Sequence, residues 1–161
     1  MAKDKKVKTN AMRMLDSMGI DYEVKTYECD EFVDGLSVAE KLGQNPEQCF
    51  KTLVTQGKSG EYFVFVLPVA CELDFKKCAA AVGEKSVEMI HVKDINKVTG
   101  YIRGGTTSIG MKKQYPTVVH SSALDFDKIM ISAGKIGMQL VIAPNDLLKA
   151  ANAKTEYIIR D

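Results

Sequence analysis

The stretch Phe50-Lys51-Thr52-Leu53-Val54-Thr55, then Gly57-Lys58-Ser59-Gly60, then Tyr62-Phe63-Val64-Phe65-Val66-Leu67, decides the fold class. Both flanks are rich in β-branched and aromatic residues, which fit a pleated surface and lose side-chain freedom in a helix. The insert between them carries two glycines, the chemistry of a tight reversal. An antiparallel hairpin is therefore expected.

Shorter elements read outward from this hairpin. Upstream, Thr9 caps a helix with Ala11, Met14, Leu15 and Met18 on one face, ended by Gly19. Residues 22–27 alternate Tyr22, Val24 and Thr26 with charged neighbours, as in a half-buried strand. Ser37 and Glu40 form a capping box for a helix that Gly43 closes, and Asn45-Pro46 opens another turn. Downstream, Asp74 caps a helix with Phe75, Cys78, Ala79 and Val82 on one face, ended by Gly83. Val87 to Ile90, Val118-Val119, Ile129 to Ile131, Met138 to Ile142 and Tyr157 to Ile159 read as strands, with a helical turn at Asp94 to Val98 and a helix at Pro144 to Ala151. Strands outnumber helices and short turns join neighbours, without regular strand–helix alternation. The expectation is α+β: a single compact domain over residues 1–161 with a mixed, largely antiparallel sheet, flanking short helices and a flexible basic N-terminus at 1–8.

The chain has 161 residues, 45% hydrophobic and 27% charged, and a net charge of +1. That balance excludes a polyanion binder acting through overall charge; nucleic acid would have to be met by a local patch. No apolar run reaches the roughly 20 residues of a membrane helix, and the lysine-rich start has no apolar segment behind it. Cys29, Cys49, Cys71 and Cys78 contain no Cys-x-x-Cys pair, so neither a zinc site nor a disulfide framework is expected, and reduced thiols in a cytoplasmic setting are.

Standard catalytic signatures are missing. There is no Gly-x-Ser-x-Gly elbow, no His-Glu-x-x-His and no Gly-x-x-x-x-Gly-Lys-Ser/Thr loop. His91 and His120 stand at strand ends without an evident partner and are read as structural or solvated, and the cysteines lack an activating neighbour. Two other features stand out. Thr99 to Lys113 holds Gly100, Gly104, Gly105 and Gly110, the pattern of a shaped loop that something approaches closely, and Ser132 to Gly137 is a second, smaller glycine turn. Lys51 shares a strand face with Leu53, so it is either held partly out of water or reaches solvent past the strand end. Lys112-Lys113 reads as a solvated turn or as a phosphate contact.

Taken together, Lys8-Thr9-Asn10-Ala11, Phe50-Lys51-Thr52-Leu53, Pro68-Val69 with Glu72-Leu73-Asp74, Thr99-Gly100-Tyr101 with Gly104-Gly105, Ile109-Gly110-Met111-Lys112-Lys113, Pro116-Thr117 and Ser132 to Gly137 resemble the YbaK/EbsC family of free-standing bacterial deacylases. These are relatives of the editing insertion domain of prolyl-tRNA synthetase. The resemblance implies hydrolysis of the ester joining cysteine to a wrongly charged proline tRNA, without metal or cofactor, with the substrate's own thiol attacking its ester. It implies a functional Lys51 as the catalytic residue, pocket tyrosines at Tyr27 and Tyr101, and substrate contacts at Gly104, Gly105, Ser132 and Gly134. The implied partners are the acceptor end of tRNA(Pro) and, transiently, prolyl-tRNA synthetase. Thr107-Ser108 stands where the family reads Ser-Pro, and Gln139 where some relatives carry an acid. Specificity for Ala-tRNA(Pro), or a silent binding module of the same fold, are the alternatives.

Overall fold

The computed structural model describes residues 8–28 and 34–161. Cys29 and the start of the basic N-terminus lie outside them. The hairpin forms as expected: β2 (Phe50–Gly57) pairs antiparallel with β3 (Tyr62–Pro68), with Lys51 opposite Leu67 and Leu53 opposite Phe65. Around it lies a five-stranded sheet in the order β4-β2-β3-β5-β8, where β4 is Val87–Met89, β5 Thr117–His120 and β8 Ala153–Glu156. The β3–β5 and β5–β8 pairs are parallel. A second sheet, entirely antiparallel, has the order β1-β7-β6, from Glu23–Thr26, Met138–Ile142 and Ile129–Ser132. Six ladders with four antiparallel make the mixed, largely antiparallel α+β architecture. A parallel bridge between Cys49 and Met130 joins the two sheets.

Alternation along β3 splits the core. Phe63, Phe65 and Leu67 pack with Cys78 and Ala79 of α3 (Phe75–Val82), with Val118 and with Ile158. Val64 instead meets Val54 and Val98, the last from α4 (Ile95–Thr99). The largest cluster gathers Ala11, Met12 and Leu15 of α1 (Asn10–Ser17) and Leu147, Ala150 and Ala151 of α5 (Pro144–Ala151) onto Ile129, Ile131, Leu140 and Ile142.

The helix ends are built as their sequence suggests. Thr9 accepts from the Met12 amide, Asp74 accepts from the amides of Lys76 and Lys77, and Gly43 and Gly83 close their helices in the left-handed region. Three expectations need correction. Helix α2 runs Gly35–Leu42 and is capped by Asp34, whose carboxylate accepts from both the amide and hydroxyl of Ser37; Ser37 lies inside the first turn. An acidic cap there also suits the helix dipole better than a hydroxyl. Strand β1 is exposed along its whole length, with Val24 42% accessible, because it is an outer strand that nothing covers. The last strand is Ala153–Glu156. Beyond it Ile158 drops into the α3 cluster and Ile159 makes only a bridge to Leu73.

His120, at the end of β5, is structural. It is 3% exposed, its Nδ1 accepts from the Ile158 amide at 3.3 Å, and its ring meets that of Tyr157 edge-on at 4.9 Å. Burial pushes its pKa below the ordinary 6.5, Asp125 opposes this and Lys77 reinforces it. The fold therefore keeps the imidazole neutral, while the unfolded chain binds a proton as soon as pH falls past about 6.5. Stability is full above that value and declines below it. Urea midpoints measured at about pH 7.5 and about pH 5 should fall more for the wild type than for His120→Asn, whose Oδ1 accepts from Ile158 without titrating.

Candidate functional site

Where the two sheets meet, a cavity of about 380 Å³ opens to solvent, a size typical of small-molecule sites. One wall is the start of β2, with Cys49, Lys51 and Leu53. A second is β6–β7, with Ser132 and Gln139. Asp34 and Gly35 at the start of α2, the glycine loop at Arg103, Gly104 and Thr106, and Met89 and Val92 complete it.

Lys51 is partly buried, and its Nζ donates to the Val69 carbonyl at 3.2 Å. That carbonyl is held in turn, because the Val69 amide bonds the Cys49 carbonyl where β3 ends. Burial pushes the Lys51 ammonium below its ordinary 10.5, and Cys71, Glu72 and Asp34 pull it back. Of the three donors of an ammonium one is committed to Val69, which aims the group without exhausting it. Of the two placements open to Lys51, partly desolvated or solvent-reaching, the first holds.

Tyr101 stands behind the wall rather than on it. It is 6% exposed, and its hydroxyl donates to the Ile109 carbonyl at 2.7 Å, with the Gly110 carbonyl at 3.3 Å. Burial raises its pKa to about 12, and the Ala11 amide, bonded to the same oxygen, lowers it slightly. The phenol thus ties the glycine loop to itself and to the start of α1. Thr9 extends the tie: its hydroxyl donates to the Ala133 carbonyl at 2.6 Å. Two glycines make these approaches possible. A Cβ at Gly110 would lie 3.0 Å from the Tyr101 oxygen, and one at Gly134 would lie 2.8 Å from Tyr101 Cε1; both backbones are in the left-handed region.

The structure therefore divides the expected site residues. Lys51, Tyr27, Gly104 and Ser132 share the cavity wall. Tyr27 is held by its amide, which donates to the Gly137 carbonyl, and the Ser132 hydroxyl accepts from the Gly134 amide at 3.2 Å. Gly105 and Gly134 serve packing between loops; a Cβ on Gly105 would come 3.1 Å from the Lys135–Ile136 backbone. Lys112 and Lys113 do not line the cavity. Lys112 folds over Gly100 and donates to the Lys97 carbonyl at 3.2 Å. Neither histidine lines it either.

Sequence reading did not place Asp34, Arg103 or Cys49 in the site. Cys49 was within reach of it, being two residues from Lys51 on an extended segment. Asp34 and Arg103 sit in loops whose neighbours no periodicity specifies. Cys49 is 2% exposed, and burial raises its thiol to about 11, so it lines the cavity as a protonated group rather than a nucleophile.

Two substitutions test the loop. Gly134→Ala should cost about 1–3 kcal/mol from its left-handed backbone and the encounter with Tyr101, read as a lower thermal midpoint. Thr107 is fully buried and its hydroxyl has no hydrogen-bond partner among the described residues. Thr107→Val keeps the shape and removes the unsatisfied group, so chemical denaturation should show equal or higher stability, by up to about 1 kcal/mol.

Comparison with known proteins places the chain in a family. The family model described as "Aminoacyl-tRNA editing domain" matches residues 34–150. EbsC of Enterococcus faecalis (strain ATCC 700802 / V583), for which the name proposes a Cys-tRNA(Pro)/Cys-tRNA(Cys) deacylase, is 47% identical over 158 residues, covering 96% of this chain and 95% of its own. A solved structure described as a proposed trans-editing enzyme for prolyl-tRNA synthetase superposes with a TM-score of 0.83 at 19% identity, over 96% of this chain and 99% of that one. The hypothetical protein APE2540 does so at 0.85 and 18% identity, over 94% and 100%. At such identities the last two speak to fold alone. The chain belongs to the aminoacyl-tRNA editing family.

Proposed function

We propose that this protein is a trans-editing deacylase that hydrolyses the ester of cysteine mischarged onto tRNA(Pro). The observation that carries this is the cavity itself: a partly desolvated, aimed lysine on one wall and a glycine loop on another. The same chain is 47% identical to a relative whose name proposes this activity.

The chemistry follows from what the wall offers. In the proposed reaction the cysteine sulfur of the substrate attacks its own ester carbonyl. The S–C bond forms, the C–O bond to the terminal ribose breaks, and the thiol proton ends on the released hydroxyl. Water then opens the resulting cyclic thiolactone to free cysteine. An aligned intramolecular nucleophile can lower the barrier by about 7–11 kcal/mol, so the protein need only position and polarise. Lys51 is suited to steady the charge that grows on oxygen, with Gly104 allowing close approach from the opposite loop. Tyr27 and Ser132 shape the remaining wall, while Tyr101, Gly105 and Gly134 hold the loops.

Net charge of +1 gives the chain little general attraction for a polyanion. Affinity for mischarged tRNA is therefore supplied in part by a companion, prolyl-tRNA synthetase, and adding the synthetase should lower the KM for the deacylase reaction. The direct test follows release of amino acid from Cys-, Ala-, Ser- and Pro-tRNA(Pro). Cys-tRNA(Pro) should turn over and the serine ester should resist, and Lys51→Ala should lose roughly 10²–10³-fold in rate. Equal rates for the cysteine and serine esters would remove the thiol from the mechanism. Preference for the alanine ester would reassign the substrate.

A further inference from the structure

One buried polar cluster of the cavity takes no part in the proposed bond-making and bond-breaking. Gln139 lies on the middle strand β7, 8% exposed, on the face opposite the core residues Leu140 and Ile142. Its carboxamide forms a reciprocal pair with that of Gln44. The Gln44 Nε2 donates to the Gln139 Oε1 at 2.9 Å, and the Gln139 Nε2 donates to the Gln44 Oε1 at 3.0 Å. Gln44 follows the closing glycine of α2, and its amide bonds the Ala39 carbonyl, so the helix end fixes where its side chain starts.

A third member gives the pair a direction. The Cys49 thiol donates to the Gln44 Oε1 at 3.4 Å. Burial keeps that thiol protonated, so the Gln44 oxygen accepts from both Cys49 and Gln139. The Gln44 nitrogen is then obliged to face Gln139, and the Gln139 oxygen to face Gln44. Each Gln139 atom spends one bond on this pair. A carboxamide has two N–H donors and two acceptor sites, so one donor and one acceptor remain for whatever enters the cavity.

We infer that Gln139 reads the tip of the aminoacyl side chain, and that Gln44, locked by the Cys49 thiol, is the positioning residue that holds its carboxamide in the reading orientation. The inference rests on the deacylase reading above. A group offering one donor and one acceptor suits a side chain ending in a thiol or hydroxyl, each of which gives and accepts. A methyl leaves both buried groups unpaired, which discriminates more strongly than a difference in size. Selection then has two stages. The floor admits cysteine and serine over alanine, and only cysteine carries the nucleophile that completes the reaction.

The test measures Cys-tRNA(Pro) hydrolysis with Ser-tRNA(Pro) and Ala-tRNA(Pro) as competitors, alongside the thermal midpoint of each variant. For the wild type the serine ester should inhibit at least about tenfold more tightly than the alanine ester. In Gln44→Ala that ratio should fall towards one. Gln44→Glu fills the same space, but its ionised carboxylate offers no donor to the Gln139 oxygen in either orientation, so one of the two bonds that hold the Gln139 carboxamide is lost and the ratio should also fall. Cys49→Ser keeps a donor and should retain it, whereas Cys49→Val should not. A wild type that cleaves Cys-tRNA(Pro), with the serine–alanine ratio unchanged in both Gln44 variants and only the midpoints shifted, overturns this inference and leaves the deacylase reading standing. A wild type that cleaves no aminoacyl-tRNA overturns both.

Discussion

The Tyr101 hydroxyl is the constraint on which the site depends. A phenol buried this deeply must find a partner, and this one finds the Ile109 carbonyl on the far limb of its own loop and the Ala11 amide at the start of α1. A single oxygen therefore sets the width of the glycine loop and its seat on the helix. The Thr9 hydroxyl bonds the second loop at Ala133 one turn away, so both loops are referenced to the same helix end. Glycine appears at 110 and 134 because a Cβ at either would strike this arrangement. The clustered glycines are thus required less by a visiting ligand than by the close contact between loops. Gly104 is the one among them that fronts the cavity.

The opposite wall depends on the junction of the sheets. Cys49 bridges Met130 and its carbonyl accepts from the Val69 amide, so β2 begins at a point fixed by both sheets. Lys51 follows one residue later in a backbone with no freedom to retreat, and its ammonium is drawn to the Val69 carbonyl. Keeping a lysine there opposes folding, since burial disfavours the charged form. The role proposed for Lys51 requires a cation kept there against that cost.

Much of this was legible in the chain. Alternation and the Gly57–Gly60 turn specify the hairpin, and Asp74 and Gly83 bound α3 because caps are local chemistry. Lys51 was legible as an anomaly of pattern, though its aim depends on Val69, eighteen residues away and across the hairpin. Less local facts were hidden. The exposure of β1 is decided by strand order, which alternation cannot report: Val24 has the right period and nothing to cover it. The capping box at Ser37 and Glu40 was a plausible local signal overridden by Asp34 three residues earlier. Tyr101 was assigned to the pocket by resemblance, and its place behind the wall follows from a bond across eight residues of irregular loop.

Among described residues on the cavity wall, the thiol and hydroxyl side chains are Cys49, Ser132, Tyr27, Thr52 and Thr106. Cys49 is held protonated by its surroundings and donates to Gln44. The Ser132 hydroxyl accepts from the Gly134 amide, and Thr106 donates to the Ile102 carbonyl at 2.9 Å. A hydroxyl needs an adjacent base to become a useful nucleophile at neutral pH; neither histidine reaches this wall, and the Asp34 carboxylate is engaged by the amide and hydroxyl of Ser37. Beyond these hydroxyls and the thiol, the wall carries the Lys51 ammonium, the Arg103 guanidinium, the Asp34 carboxylate that caps α2 and the neutral Gln139 carboxamide. Such a set can orient and polarise but is poorly equipped to attack. In the proposed reaction the substrate brings its own thiol, and the burial that keeps Cys49 protonated stops the protein's thiol from competing for the same carbonyl.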